Sequence, residues 1–146
     1  MTRIPRRILL ASISAVALAA CTPAQQDATL AKIKDMSQAL TDLAVKYGSA
    51  FAPAEVAIIV SNNTAIQALV PGAWVATAQA LIGGTVRVLL ALLPRLLPLL
   101  PPGMGDALNV VLAFLAGFAG MARAAPGERV PTIDEAAGAA ASLRGR

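Results

Sequence analysis

Proline and glycine divide this chain before any other feature does. Pro53, the pair Pro71-Gly72, the run from Pro94 to Pro102 followed by Gly103-Met104-Gly105, and the stretch Ala125 to Pro131 interrupt a sequence otherwise rich in alanine and leucine. An interior proline removes a backbone hydrogen bond from a helix at about 3 kcal/mol or more, whereas glycine ends helices readily. The pieces between the breaks have helix length and helix periodicity. They predict an all-α fold, a small bundle of about four helices plus a short C-terminal helix. Alanine and leucine are the strongest helix formers, and the chain is 57% hydrophobic.

The first body segment predicts a helix from Asp27, as N-cap, to about Phe51. Ile33, Met36, Leu40, Leu43, Ala44, Tyr47 and Phe51 fall on one side of its wheel. Lys32, Lys34, Asp35, Gln38, Asp42 and Lys46 fall on the other, and Asp42 and Lys46 form an i,i+4 pair. Pro53 suits the first turn of a second helix, to about Val70. Asn63 lies inside its broad apolar arc and is expected to hydrogen-bond a neighbouring helix. A third helix is expected over Val75 to Leu93, with Gly83-Gly84 as a weak point, a kink at Pro94 and loss of regular helix before Pro102. Arg87 and Arg95 interrupt its apolar run and are expected to face solvent or snorkel.

Asp106 reads as the N-cap of a fourth helix reaching about Ala125. Leu108, Val110, Val111, Leu112, Phe114, Leu115, Phe118 and Met121 make a bulky side. Ala113, Ala116, Gly117 and Gly120 make a small-residue strip that suits close helix packing. Ala107 to Ala125 is also just long enough to cross a bilayer. After a linker, Thr132-Ile133-Asp134-Glu135 has capping-box spacing and predicts a short helix to about Leu143, poorly anchored.

The N-terminus carries a different kind of information. Arg3, Arg6 and Arg7 form a positive head, and Ile8 to Ala20 is an uncharged apolar run closed by Leu18-Ala19-Ala20-Cys21. At about 20 Å as a helix, the run is short of the ~30 Å hydrocarbon core, which fits a cleaved secretory signal better than a span. Leu18-Ala19-Ala20-Cys21 resembles the lipobox of bacterial lipoprotein precursors. The resemblance covers these first residues and not the body. It implies recognition of Leu18, Ala19 and Ala20 by a signal peptidase, cleavage before Cys21, and lipid on the Cys21 sulfur. Thr22 in place of aspartate implies the outer membrane, facing the periplasm. The expected organisation is a signal peptide over residues 1–20, a lipid-proximal tether over 21–26, a helical domain over 27–125, and a linker with a short helix over 126–146.

Removing the signal changes the electrostatic picture. Three of the twelve basic residues leave with it, so nine bases remain against eight acids. A net charge near +1 leaves no footprint for nucleic acid, and without a long basic run no strong recruitment to anionic lipid is expected. Histidine is absent and Cys21, the only cysteine, is expected to carry lipid, which removes the usual zinc, copper, haem and iron–sulfur ligands and any intrachain disulfide. No cofactor and no catalytic residue is expected. Two carboxylate pairs, Asp35 with Asp42 and Asp134 with Glu135, read as solvated faces or cap positions.

Two functions fit these observations. The first is a lipid-anchored envelope lipoprotein acting as a structural or interaction module, with a protein partner or a second copy on its helix faces and no enzyme activity. The alternative is a membrane-inserted helical protein in which segments three and four enter the bilayer and oligomerise. A phage-type lysis accessory, comparable to outer-membrane spanin subunits, is a variant of it. The charges oppose the insertion: the connection between those segments carries Arg95 and Asp106, whereas Arg123, Arg129, Arg144 and Arg146 follow them.

Overall fold

The structure is a computed structural model that describes residues 23–121 and 130–144. It is all-helical in the described residues. Five helices follow one another: α1 over Pro23–Lys46, α2 over Pro53–Gln67, α3 over Val75–Leu96, α4 over Met104–Phe118 and α5 over Ile133–Arg144. Short 3-10 turns, Gly48–Ala50 and Leu97–Leu99, follow α1 and α3.

Each helix packs on the next, and α5 packs on both α4 and α1, so the five close into a ring around one core. The ends are laced in a way that fixes direction. Lys34 Nζ donates to the Leu69 carbonyl at 2.6 Å, beyond the C-terminus of α2. Gln79 Nε2, near the start of α3, donates to the carbonyl of Phe118 at the end of α4, 3.0 Å away. Asp134 meets Lys32 at the start of α5, and Arg144 reaches towards Asp42 at its end. Helices α1 to α4 therefore alternate in direction, and α5 runs alongside α1 in the same sense.

The core follows the apolar stripes. Ile33, Met36 and Leu40 meet Ile59 and Ile66, Ile82 and Leu89, and Leu108 and Leu115, all essentially excluded from solvent. At about 25 cal/mol per Å² of apolar area, each such side chain contributes roughly 1.5–3 kcal/mol. The charged side expected for α1 is on the outside, with Asp35, Asp42 and Lys46 exposed. Trp74 is inside with Leu108, Val111, Leu112, Leu115 and Phe118 of the bulky side of α4, while Val110, Phe114 and Met121 are partly buried.

Several boundaries move for identifiable reasons. Helix α1 starts at Pro23, before the expected Asp27 cap. A proline fits the first helical turn, and Ala24, Gln25 and Gln26 are good helix formers, so the expected tether is helical from its third residue. Helix α3 runs through Pro94 to Leu96 before tightening into the 3-10 turn. Leu100, which precedes Pro101, is then extended at φ −82° and ψ 142°, as steric contact with a following proline demands. Helix α4 starts at Met104 with Gly103 as its N-cap, which places Asp106 in the first turn, where its charge favours the helix dipole.

The largest correction concerns the end of α4. The helix stops at Phe118, not near Ala125. Gly120 takes φ +77°, the left-handed conformation that costs glycine little. The Gly120 N–H then bonds to the Gly117 carbonyl at 3.1 Å and the Met121 N–H to the Ala116 carbonyl at 2.8 Å. These two bonds form a Schellman motif, which satisfies the last carbonyls and stops the helix.

Helix α5 is also anchored more firmly than its composition suggested. Ala136, Ala140 and Leu143, spaced four and three apart, are buried against α1 and α4. Small side chains let the helix sit close, so alanines replace bulk with proximity. Thr132 caps the helix as the sequence implied: the Glu135 N–H donates to Thr132 Oγ1 at 3.2 Å, and that hydroxyl donates to Glu135 Oε1 at 3.3 Å.

Candidate functional site

Leu18, Ala19, Ala20 and Cys21 lie outside the described residues. The nearest described position is Pro23, at the free end of α1. A group attached to Cys21 is therefore two residues along the chain from the start of α1, which first enters the core at Leu30.

The small-residue strip of α4 is not a single surface. Ala113 is exposed, while Ala116 is buried. Gly117 is closely covered, since a Cβ there would lie 3.2 Å from Val130 Cγ1 in the approach to α5. Gly120 lies past the helix end and serves as the stop described above, which corrects its assignment to a helix-packing face. The spacing Ala116/Gly120 thus has no helical meaning here. At 15 residues, α4 is about 22 Å long, short of a bilayer core.

The polar residues of the interior hold helices together. Asn63 is 7% exposed and sits between α1 and α2. Its Oδ1 accepts from Ser37 Oγ at 2.9 Å and from Gln67 Nε2 at 3.1 Å, while its Nδ2 donates to Gln38 Oε1 at 2.9 Å. Asn63 is thus an interhelical bridge, as its place in an apolar arc suggested. Asn62 Nδ2 makes a comparable link to Thr85 Oγ1 at 3.3 Å, joining α2 to α3.

The carboxylate pairs are likewise engaged in structure. Asp134 accepts from Lys32 Nζ at 2.7 Å, and Glu135 belongs to the cap of α5. Asp35 and Asp42 each lie 3.9 Å from the Arg144 guanidinium. Asp35 and Arg144, with Ala137, Ala140 and Ala141, line an open cleft of about 380 Å³ between α1 and α5. A cleft floored by alanines and bordered by one spread ion pair offers no nucleophile and no close acid–base pair. Among the described residues no group of three or more metal-ligating side chains comes together. The role of Arg144 could not be read from the sequence, because its acidic neighbours lie about a hundred positions earlier in the chain.

One segment has membrane dimensions. Val75–Leu99, comprising α3 and its 3-10 extension, is 25 residues long; its most apolar 18-residue window has a mean hydropathy of 1.7, and 39% of that window is buried in the bundle. Arg87 and Arg95 both point outward from it. The chain matches no protein-family model, no curated protein and no solved structure.

Proposed function

We propose that this chain is a lipid-anchored lipoprotein of the bacterial envelope, held at the outer membrane through Cys21 and facing the periplasm. Its helical body serves as a structural or interaction module without catalysis. The observation that carries this reading is the junction between the lipobox and the fold. Helix α1 begins at Pro23 and first enters the core at Leu30, so a lipid on Cys21 would be joined to the bundle through a helical lead instead of a loose tether. Two or three acyl chains at ~0.8 kcal/mol per buried methylene would hold such a body firmly to a leaflet. The engagement of the interior polar groups in helix–helix bridges supports a scaffold over an enzyme. Palmitate incorporation into the full chain and into Cys21→Ala, followed by membrane fractionation, tests the proposal. Label in the first and none in the second supports it; membrane association without label in either overturns it.

A second reading has its own support in the length and hydropathy of Val75–Leu99. On it, α3 inserts and the body oligomerises or perturbs the bilayer, as a phage-type lysis accessory would. The shortness of α4 weighs against a two-span hairpin. Expressing residues 22–146 without detergent separates the two readings. A cooperatively folding soluble species sinks insertion, and aggregation relieved only by detergent sinks the soluble bundle.

A further inference from the structure

The charges of the body are segregated. Residues 56–105 contain no acid at all and only two bases, Arg87 and Arg95. Five of the seven large apolar side chains that are exposed among the described residues also fall in this stretch, including Ile58, Leu97 and Leu99 at 38–46% exposure. The fold gathers the stretch onto one side, because α2 and α3 are neighbours joined through Asn62 and Thr85. Arg87 and Arg95 make no ion pair among the described residues. The opposite side, α1 with α5, carries Asp35, Asp42 and Asp134 with Lys32 and Arg144 already placed beside them.

We propose that the α2–α3 side, whose one acid is Glu55 in the first turn of α2, where it accepts from the Ala52 N–H, lies against an anionic bilayer surface and orients the tethered body on it. The proposal rests on the lipid anchor at Cys21. Two arginines are too few to recruit a free protein, in keeping with the near-neutral net charge. A tether removes that requirement, because the surface is then always within reach and a weak contact suffices to select one orientation. Arginine suits the role, since its stem covers apolar surface while its guanidinium reaches phosphate. A second copy fits this face poorly, because two such faces would meet with four arginines against only the Glu55 of each copy, which already caps the start of α2.

The test uses the full lipidated chain in vesicles with single added cysteines, Ala80→Cys and Ala91→Cys on the outer side of α3 and Ser142→Cys on α5. All three positions are exposed. Each carries a nitroxide, and collision with a water-soluble nickel chelate is measured on phosphatidylglycerol-rich vesicles and on pure phosphatidylcholine. The expected result is roughly thirtyfold lower collision at positions 80 and 91 on the anionic vesicles alone, the scale that two basic residues near a charged surface supply. Position 142 stays accessible, and Arg87→Glu with Arg95→Glu abolishes the protection. Equal accessibility at positions 80 and 142 overturns the proposal. So does protection that survives in detergent with a doubled particle mass, which assigns the face to a second copy. Thiol labelling of the parent chain, whose one cysteine is Cys21, overturns the anchor itself; an unlabelled parent with unprotected α3 positions overturns only the orientation.

Discussion

Trp74 and Phe118 stack with ring centroids 6.3 Å apart and planes inclined by 18°, joining the start of α3 to the end of α4. Both rings are buried, yet the indole Nε1–H has no hydrogen-bond partner among the described residues. A buried donor without a partner costs roughly 1–3 kcal/mol, while a stacked aromatic pair adds about 0.5–1.5 kcal/mol beyond its buried area. The two substitutions Trp74→Phe and Trp74→Ala should therefore diverge. Phenylalanine keeps a ring on Phe118 and removes the orphaned N–H, so its cost is expected below about 1.5 kcal/mol. Alanine leaves a cavity and should cost about 3–5 kcal/mol. Urea unfolding followed by helical circular dichroism reads both; equal losses would show that the stack contributes nothing.

The Asn63 bridge should behave as a coupled unit. Asn63→Leu removes the partner of Ser37 and of Gln38 at once, and is expected to cost about 1–3 kcal/mol despite the added apolar volume. Ser37→Ala alone should cost about 1 kcal/mol. Because Ser37 Oγ and Asn63 Oδ1 share one bond, the double variant should cost less than the sum by about 0.5–1.5 kcal/mol. Strict additivity in that cycle would remove Ser37 from the bridge.

Much of this architecture was legible because the segments are long, strongly periodic and separated by proline or glycine. The inward face of α1, the capping of α5 by Thr132 and the bridging role of Asn63 follow from spacing alone. What was not legible depends on backbone conformation or on partners far along the chain. Gly120 resembles its small neighbours in a helical wheel, and only its positive φ and the two bonds around it mark it as a stop. The firm seating of α5 could not be inferred from Ala136 and Ala140, since alanines gain stability by proximity, and proximity is set by α1 and α4. The anchor motif at Leu18-Ala19-Ala20-Cys21 is readable in sequence but lies outside the described residues.

The two adjacent glycines of α3 should respond differently to alanine. A Cβ at Gly83 would meet Ala119 Cβ at 3.7 Å, ordinary contact, so Gly83→Ala is expected to stabilise by about 0.5–1 kcal/mol through helix propensity. A Cβ at Gly84 would sit 3.1 Å from Asn62 Nδ2, which must shift and strain its bond to Thr85. Gly84→Ala should therefore gain less than Gly83→Ala, and a melting series on the two single variants decides it. A larger gain at position 84 would mean that the Asn62–Thr85 link carries no stability.

Packing, and not charge, should hold α5 in the ring. Lys32 and Asp134 are 2.7 Å apart but both substantially solvent-exposed, and such pairs are worth under about 1 kcal/mol. Asp134→Asn is expected to change stability by less than that, and 1 M salt should erase the difference by screening. Ala136→Glu, by contrast, places a carboxylate where the side chain is wholly buried in the core. An unpaired buried charge of this kind should cost about 3 kcal/mol or more, or force α5 off the bundle. Hydrogen exchange separates the two outcomes by element: detachment deprotects α5 while leaving the α2–α3 amides protected, whereas global destabilisation lowers protection everywhere. If Ala136→Glu leaves exchange in α5 unchanged while Asp134→Asn raises it, the helix is held by its ion pair and the packing account fails.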